Sequence, residues 1–184
     1  MTKLIITRNG ATDWNKINRV QGSVDVPLNT EGRAAAERIA SELKRFKLNV
    51  IYSSCLSRSY ETAEIIAKNR DLKIKRLKEL NELNQGVWQG LRVDEIKKRY
   101  RKQYGLWRSS PFSTKPPQGE SIKEAYDRVV NVVQKIVDRY KNEMVCIVTH
   151  EIVISLIKCH FTSQDINKMW DIIPKIASWE KINV

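Results

Sequence analysis

Two apolar runs in this sequence end on polar clusters suited to holding an anion. Lys3 to Thr7 leads into Arg8-Asn9-Gly10, and Met144 to Thr149 leads into His150-Glu151. An arginine presents a planar, permanently charged fork that matches phosphate. A histidine can donate to a phosphoryl oxygen, and a bound dianion favours its protonated form. A second fork, Arg58, stands in the helix start Ser57-Arg58-Ser59. Asn15 and the Gln21-Gly22 loop can add neutral donors. Taken singly, each residue has a plainer reading. An arginine after a strand is usually a surface charge, a histidine closing an apolar strand is often a satisfied core residue, and Asn15 after Trp14 could serve only a turn.

Other chemistries fit less well. Cys146, His150, Cys159 and His160 are zinc-type residues, but four residues of extended strand span roughly 13 Å, so Cys146 and His150 cannot share one ion. No metal site is assigned, and His160 reads as structural. Cys55-Leu56-Ser57-Arg58 is too tight for a cysteine phosphatase, whose loop must wrap the phosphate between thiolate and arginine.

The elements that must position these residues alternate in type. Strands are expected at Lys3–Thr7, Asn49–Ser53 and Met144–Thr149, with an edge strand at Lys73–Leu77 and a final strand within Ala177–Val184. Asn29-Thr30-Glu31 starts a helix whose Ala35, Ala36, Ile39, Ala40, Leu43 and Phe46 fall at helical spacing. Further helices are expected over Ser57–Lys68, Val93–Tyr104 and Ile152–Cys159. Ser121 caps a long one, striped by Ala125, Val129, Val132, Val133, Ile136 and Tyr140. Ser109 to Gly119, with three prolines, is a loop. Such alternation predicts an α/β fold: a three-layer sandwich, mostly parallel in its central sheet, with helices on both faces. Ligands of such sheets bind beyond the carboxyl ends of the strands, where Arg8-Asn9 and Thr149-His150 both fall.

Six blocks in order resemble the histidine phosphatase superfamily, the phosphoglycerate-mutase-like proteins. Leu4 to Asn15 is similar to its opening, Arg-His-Gly followed by Thr-x-Trp-Asn. Gln21 to Leu28 continues the likeness. Tyr52 to Ala63 resembles Ser-Ser-x-Leu-x-Arg-Ala-x-Gln-Thr-Ala. Glu82 to Gly90, Gly119-Glu120-Ser121 and Val148-Thr149-His150 complete it. The resemblance implies phosphoryl transfer through a phosphohistidine, with Arg8, Arg58 and His150 around the phosphoryl group, Asn15, Gln21 and Gly22 as further contacts, and Glu82 as general acid. It implies no metal and no organic cofactor. Beside a phosphate dianion a carboxyl group holds its proton more tightly, which suits donation to a leaving oxygen.

Three positions depart from the pattern. Asn9 stands where the family has its phosphate-accepting histidine. An amide nitrogen is delocalised into its carbonyl and is not nucleophilic, so the chain as written is expected to be impaired. Asn9 is either an engineered replacement that traps a ligand or the mark of a natural non-catalytic relative; the retention of the other site residues favours the first. Glu151 replaces a frequent glycine, and a carboxylate beside phosphate is unfavourable unless it points away. Gln89 replaces a frequent glutamate and still hydrogen-bonds.

Only Leu91 to Gln118 separates the tryptophan block from Gly119-Glu120-Ser121, too little for the mutases' arginine-bearing insertion. A phosphomonoesterase acting on a small phosphorylated metabolite is therefore expected, with a phosphoglycerate mutase as the alternative. The length, 184 residues, suits one domain over 1–184, monomeric or homodimeric. With 33 basic against 21 acidic residues, the charge of +12 raises nucleic acid as a partner of another class, concentrated between Arg92 and Arg108. A solvated helix that attracts small anions is the simpler reading. No apolar run long enough for a membrane span and no signal peptide are seen, and three cysteines give no disulfide framework, so a reducing cytoplasm is expected. The Lys/Ile-rich composition would suit a thermophile.

Overall fold

The computed structural model describes residues 1–68 and 70–184. Strands β1 (Lys3–Arg8), β2 (Val50–Ser54), β3 (Ile74–Leu77), β4 (Met144–Thr149) and β5 (Trp179–Asn183) form one sheet of order β3-β2-β4-β1-β5. Neighbours from β3 to β1 pair in parallel, and β5 runs antiparallel along β1. The short, polar β3 lies at an edge, as its alternating charges imply.

Side chains alternate across the sheet and so divide into two cores. Leu4, Ile6, Val145 and Ile147 pack on one face with Val129, Val133 and Ile136 of α6 (Ile122–Arg139) and Val153 and Ile157 of α7 (Glu151–Phe161). Ile5, Ile51, Cys146 and Val148 pack on the other with Ile39 and Leu43 of α2 (Thr30–Leu43) and Ala63 and Ile66 of α3 (Ser57–Ala67). The three-layer architecture therefore follows from the period-two runs themselves.

Caps fix where these helices begin. The Asn29 side chain accepts from the Gly32 amide at 2.8 Å, and the Ser121 hydroxyl from the Glu124 amide at 3.1 Å. Ser121 also receives a reciprocal contact, its own amide donating to the Glu124 carboxylate at 2.7 Å. Within the expected stripe of α6, Val132 and Tyr140 are only partly buried and flank the core.

The expected single helix over Val93–Tyr104 is two helices, α4 (Val93–Arg99) and α5 (Arg101–Ser109). Tyr100 leaves the helical region, with φ −123° and ψ 33°. Its ring lies 6.3 Å from that of Trp88, and the break lets α5 carry Trp107 to within 5.9 Å of the same ring. No glycine or proline marks this joint; a third apolar cluster around Trp88, Ile96, Trp107 and Ile152 sets it. Inside the proline loop, one 3-10 turn forms at Pro111–Ser113. A short helix, α1 (Asp13–Lys16), follows β1 and was not expected.

The β1 chain departs toward α2 on one face, and the adjacent β4 departs into α7 on the other. Their carboxyl ends are paired at Arg8↔Thr149, so a crevice opens between them.

Candidate active site

A cavity of ≈ 260 Å³ lies in this crevice. Every residue expected at the site lines it: Arg8, Asn9, Asn15, Gln21, Gly22, Arg58, Glu82, His150 and Glu151. Asn18, Arg19, Val20, Gln85, Val93 and Ile176 complete the lining; Gln85 and Val93 fall in the Asn84–Arg108 stretch expected to supply specificity, and the other four were not singled out.

Arg8 ends β1. Its Nη1 donates to the Pro174 carbonyl at 2.6 Å, and its Nη2 is ion-paired to the Glu151 carboxylate. Glu151 therefore does not point away from the pocket; it sits on the first arginine fork. Asn9 is buried, and its Nδ2 donates to the Gly10 carbonyl at 2.8 Å. Gly10 must be glycine, because a Cβ there would lie 2.4 Å from the Gly32 carbonyl oxygen.

Arg58 enters from the first turn of α3, whose start is held by Asp25: Oδ1 accepts from the Ser57 amide and hydroxyl, both at 2.7 Å. Arg58 is 2% exposed, and its guanidinium donates to the carbonyls of Gly22 at 2.7 Å and Val24 at 2.8 Å. Gly22 thus contributes an acceptor that orients Arg58. Its φ of +52° suits glycine, and a Cβ would lie 2.3 Å from Gln89 Oε1. Gln89 Oε1 in turn accepts from the Ser23 amide at 2.8 Å and hydroxyl at 3.0 Å, the bonding expected of glutamine there. Burial lowers the pKa of Arg58, against the raising effect of Glu82 and Asp25.

Asn15 caps its own turn: Oδ1 accepts from the Thr12 amide at 2.8 Å and hydroxyl at 3.1 Å, which leaves the amide NH₂ as its donor. Gln21 Oε1 and Arg19 Nε are buried without a hydrogen-bond partner. Residues 18–20 are tied to 90–93 by Val20 N–H to Leu91 O, Gly90 N–H to Val20 O and Val93 N–H to Asn18 O.

Glu82 is buried between two backbone amides, Leu83 N–H at 2.8 Å and Ile152 N–H at 3.3 Å. Burial first, and the Glu151 charge second, push its pKa up to about 7. The carboxyl is thus poised to hold a proton near neutrality before any phosphate arrives. His150 is 2% exposed, with Nε2 2.8 Å from the Ser54 hydroxyl. Burial, then Arg58, Arg8 and Arg128, hold its pKa well below the usual histidine range. Ser54 and Asn81, which support it, were not singled out in the sequence.

The remaining candidates lie elsewhere. His160 Nδ1 is 2.8 Å from the Tyr126 hydroxyl. Cys146 points into the α2/α3 core, 3.8 Å from Thr7 Oγ1, and burial pushes its thiol up to about 12. Arg99, Arg101, Lys102 and Lys115 line a separate surface groove. Among the described residues, no helix is long and apolar enough to cross a membrane.

Two arginine forks, a histidine and a carboxyl whose pKa is pushed up to about 7 at the carboxyl edge of a mostly parallel sheet define a pocket of the phosphoryl-transfer class. The chain belongs to the histidine phosphatase superfamily, branch 1, whose family model matches residues 4–184. It is 32% identical over 184 residues, all of this chain and 87% of the relative, to phosphoserine phosphatase 1 of Hydrogenobacter thermophilus. It is 33% identical to the uncharacterized phosphatase PhoE of Bacillus subtilis over 82% of this chain and 72% of that one. Among solved structures, YhfR of Bacillus stearothermophilus superposes with a TM-score of 0.92 at 34% identity, covering 100% of this chain and 92% of that one. A mycobacterial glucosyl-3-phosphoglycerate phosphatase in complex with VO3 superposes with a TM-score of 0.89 at 27% identity over 98% and 92% of the two chains. The protein is thus an enzyme-family member with a phosphatase or phosphoglycerate-mutase-like function.

Proposed function

We propose that this chain is a phosphomonoesterase of the phosphohistidine type whose nucleophile position is occupied by Asn9, so that it binds a small phosphorylated metabolite with little turnover. The observation that carries this reading is the gathering of Arg8, Arg58, Glu82, His150 and Asn9 around one cavity, where burial pushes the pKa of Glu82 up to about 7.

The Asn9 contact supports its place in the scheme. Asparagine Nδ2 and histidine Nδ1 branch from the same carbon. A histidine at position 9 would donate Nδ1–H to the Gly10 carbonyl as Asn9 does and would carry an unprotonated Nε2 beyond it. In that form Nε2 attacks phosphorus, the ester P–O bond breaks, and Glu82 gives its proton to the leaving oxygen. Water then attacks phosphorus, returns a proton to Glu82, and the P–N bond breaks.

The short Leu91–Gln118 stretch favours hydrolysis over rebinding for a mutase reaction. The 184 residues form one domain in this reading. The Hydrogenobacter relative makes phosphoserine the first substrate to try. Phosphate release from phosphoserine and an aryl phosphate, by the chain as written and by Asn9→His, tests the reading. Equal turnover by the two forms would refute it.

A further inference from the structure

The hydrogen bonds behind His150 can be assigned proton by proton. The Cys55 backbone N–H can only donate, and it reaches the Asn81 side chain at 2.8 Å, so the atom it meets is Oδ1. That same oxygen lies 2.9 Å from Ser54 Oγ. A carbonyl oxygen carries no proton, so the single hydroxyl proton of Ser54 points at Asn81. Ser54 Oγ also receives the Leu56 backbone N–H at 3.1 Å. Its remaining contact, His150 Nε2 at 2.8 Å, must therefore be a donor. A neutral His150 then carries its proton on Nε2 and a bare lone pair on Nδ1, which is buried and has no hydrogen-bond partner.

We infer that Ser54 and Asn81 are positioning residues that lock His150 in the Nε2–H tautomer, so that an oxyanion is accepted at Nδ1 only together with a proton. The inference rests on the cavity being an anion site. An oxyanion oxygen set against a bare nitrogen lone pair is repulsive, and a proton between them makes the contact a charge-assisted bond. The proton comes from solvent or arrives on the ligand as its monoanion. In both cases the complex holds one proton more than free protein and dianion.

Burial opposes that proton first, and Arg58 from α3, Arg8 from β1 and Arg128 from α6 oppose it further. The carboxyl groups of Glu82 and Glu151 line the same cavity, with Glu151 engaged by Arg8. A dianion is what shifts the balance.

Sulfate is a suitable probe because it remains a dianion across neutral pH and brings no proton. Calorimetry at pH 8 in two buffers of different ionisation enthalpy counts the protons taken up on binding. The Glu82→Gln background removes the other group poised to titrate. The expected result is about one proton per sulfate and an affinity that falls about tenfold per pH unit. In Ser54→Ala, or in Asn81→Ala where the serine hydroxyl is free to rotate toward Nε2, a neutral ring can place its proton on Nδ1. Uptake then falls toward zero and affinity becomes nearly independent of pH. Asn81→Asp keeps an acceptor for both Cys55 and Ser54 and should restore uptake. Sulfate binding without proton uptake in the parent, or uptake unchanged in the alanine variants, overturns the inference and leaves the anion site standing. Absence of binding by both sulfate and phosphate removes the anion site, and the inference with it.

Discussion

The Glu151 carboxylate is ion-paired with Arg8 inside the same cavity that presents Arg58 and His150. It occupies the fork that the proposed reading assigns to a phosphoryl oxygen, and its charge also helps keep Glu82 protonated. On the proposed reading, one side chain thereby weakens the grip on the ligand and keeps the general acid in its protonated form.

Replacing it separates these effects. Glu151→Gln should raise phosphate affinity roughly fivefold, about 1 kcal/mol for a part-exposed ion pair. It should also lower the pKa of Glu82. Calorimetry with inorganic phosphate and NMR titration of the Glu82 carboxyl carbon check the two parts. Unchanged affinity together with an unchanged titration would show that Glu151 is a bystander.

Asn9→His should raise phosphate release on the order of 10³-fold or more, the scale seen when a nucleophile is removed elsewhere. Activity of that form should decline above about pH 7 as Glu82 loses its proton. At saturating substrate, where the His150-linked fall in affinity no longer enters, Glu82→Gln in that form should abolish the decline of kcat and slow substrates with poor leaving groups most. An activity that rises through pH 7 to 9 would remove Glu82 from the acid role.

Arg58→Ala should cost at least tenfold in phosphate affinity, since a charge-assisted contact is worth roughly 1.5–3 kcal/mol. It should also lower the melting temperature, because the Gly22 and Val24 carbonyls lose their donor. A melting shift without loss of binding would leave Arg58 a purely structural role.

Stability should depend on pH through the two buried groups. The folded pKa of Glu82 lies above its ordinary value of 4.5, so its contribution is full below 4.5 and is lost as pH rises through about 7. That displacement corresponds to about 3 kcal/mol. The folded pKa of His150 is depressed, so its contribution is full above the usual histidine range and is lost as pH falls below it. Denaturant unfolding at pH 5 and pH 8 checks this. Relative to the parent, Glu82→Gln should gain about 3 kcal/mol between those values, and a constant difference would contradict the assignment.

Arg8, Asn9, Arg58 and His150 were legible because each ends, begins or directly follows an element with a strong local pattern, whereas Asn15, Gln21, Gly22 and Glu82 were read from the blocks that resemble the family. β1 and β4 are uninterrupted apolar runs, and α3 opens beside its serine cluster. The long α6 was marked by its cap and stripe. What stayed hidden depends on proximity rather than pattern. Asn81 matters because Ser54 and the Cys55 amide, 27 and 26 residues away, fold against it. The Glu151–Arg8 pair joins residues from opposite ends of the chain, so only adjacency of β1 and β4 explains it. The break at Tyr100 follows from aromatic packing on Trp88, which no residue type at the joint announces.

The backbone ties between residues 18–20 and 90–93 have an evolutionary meaning. The floor of the cavity is made by strand ends and the start of α3, whereas one wall, with Gln85 and Val93, is supplied by the stretch leading into α4. Lengthening or exchanging residues 85–119 would remodel that wall while the strand ends and the start of α3 stay intact. The fold thus lets substrate preference drift independently of reaction type.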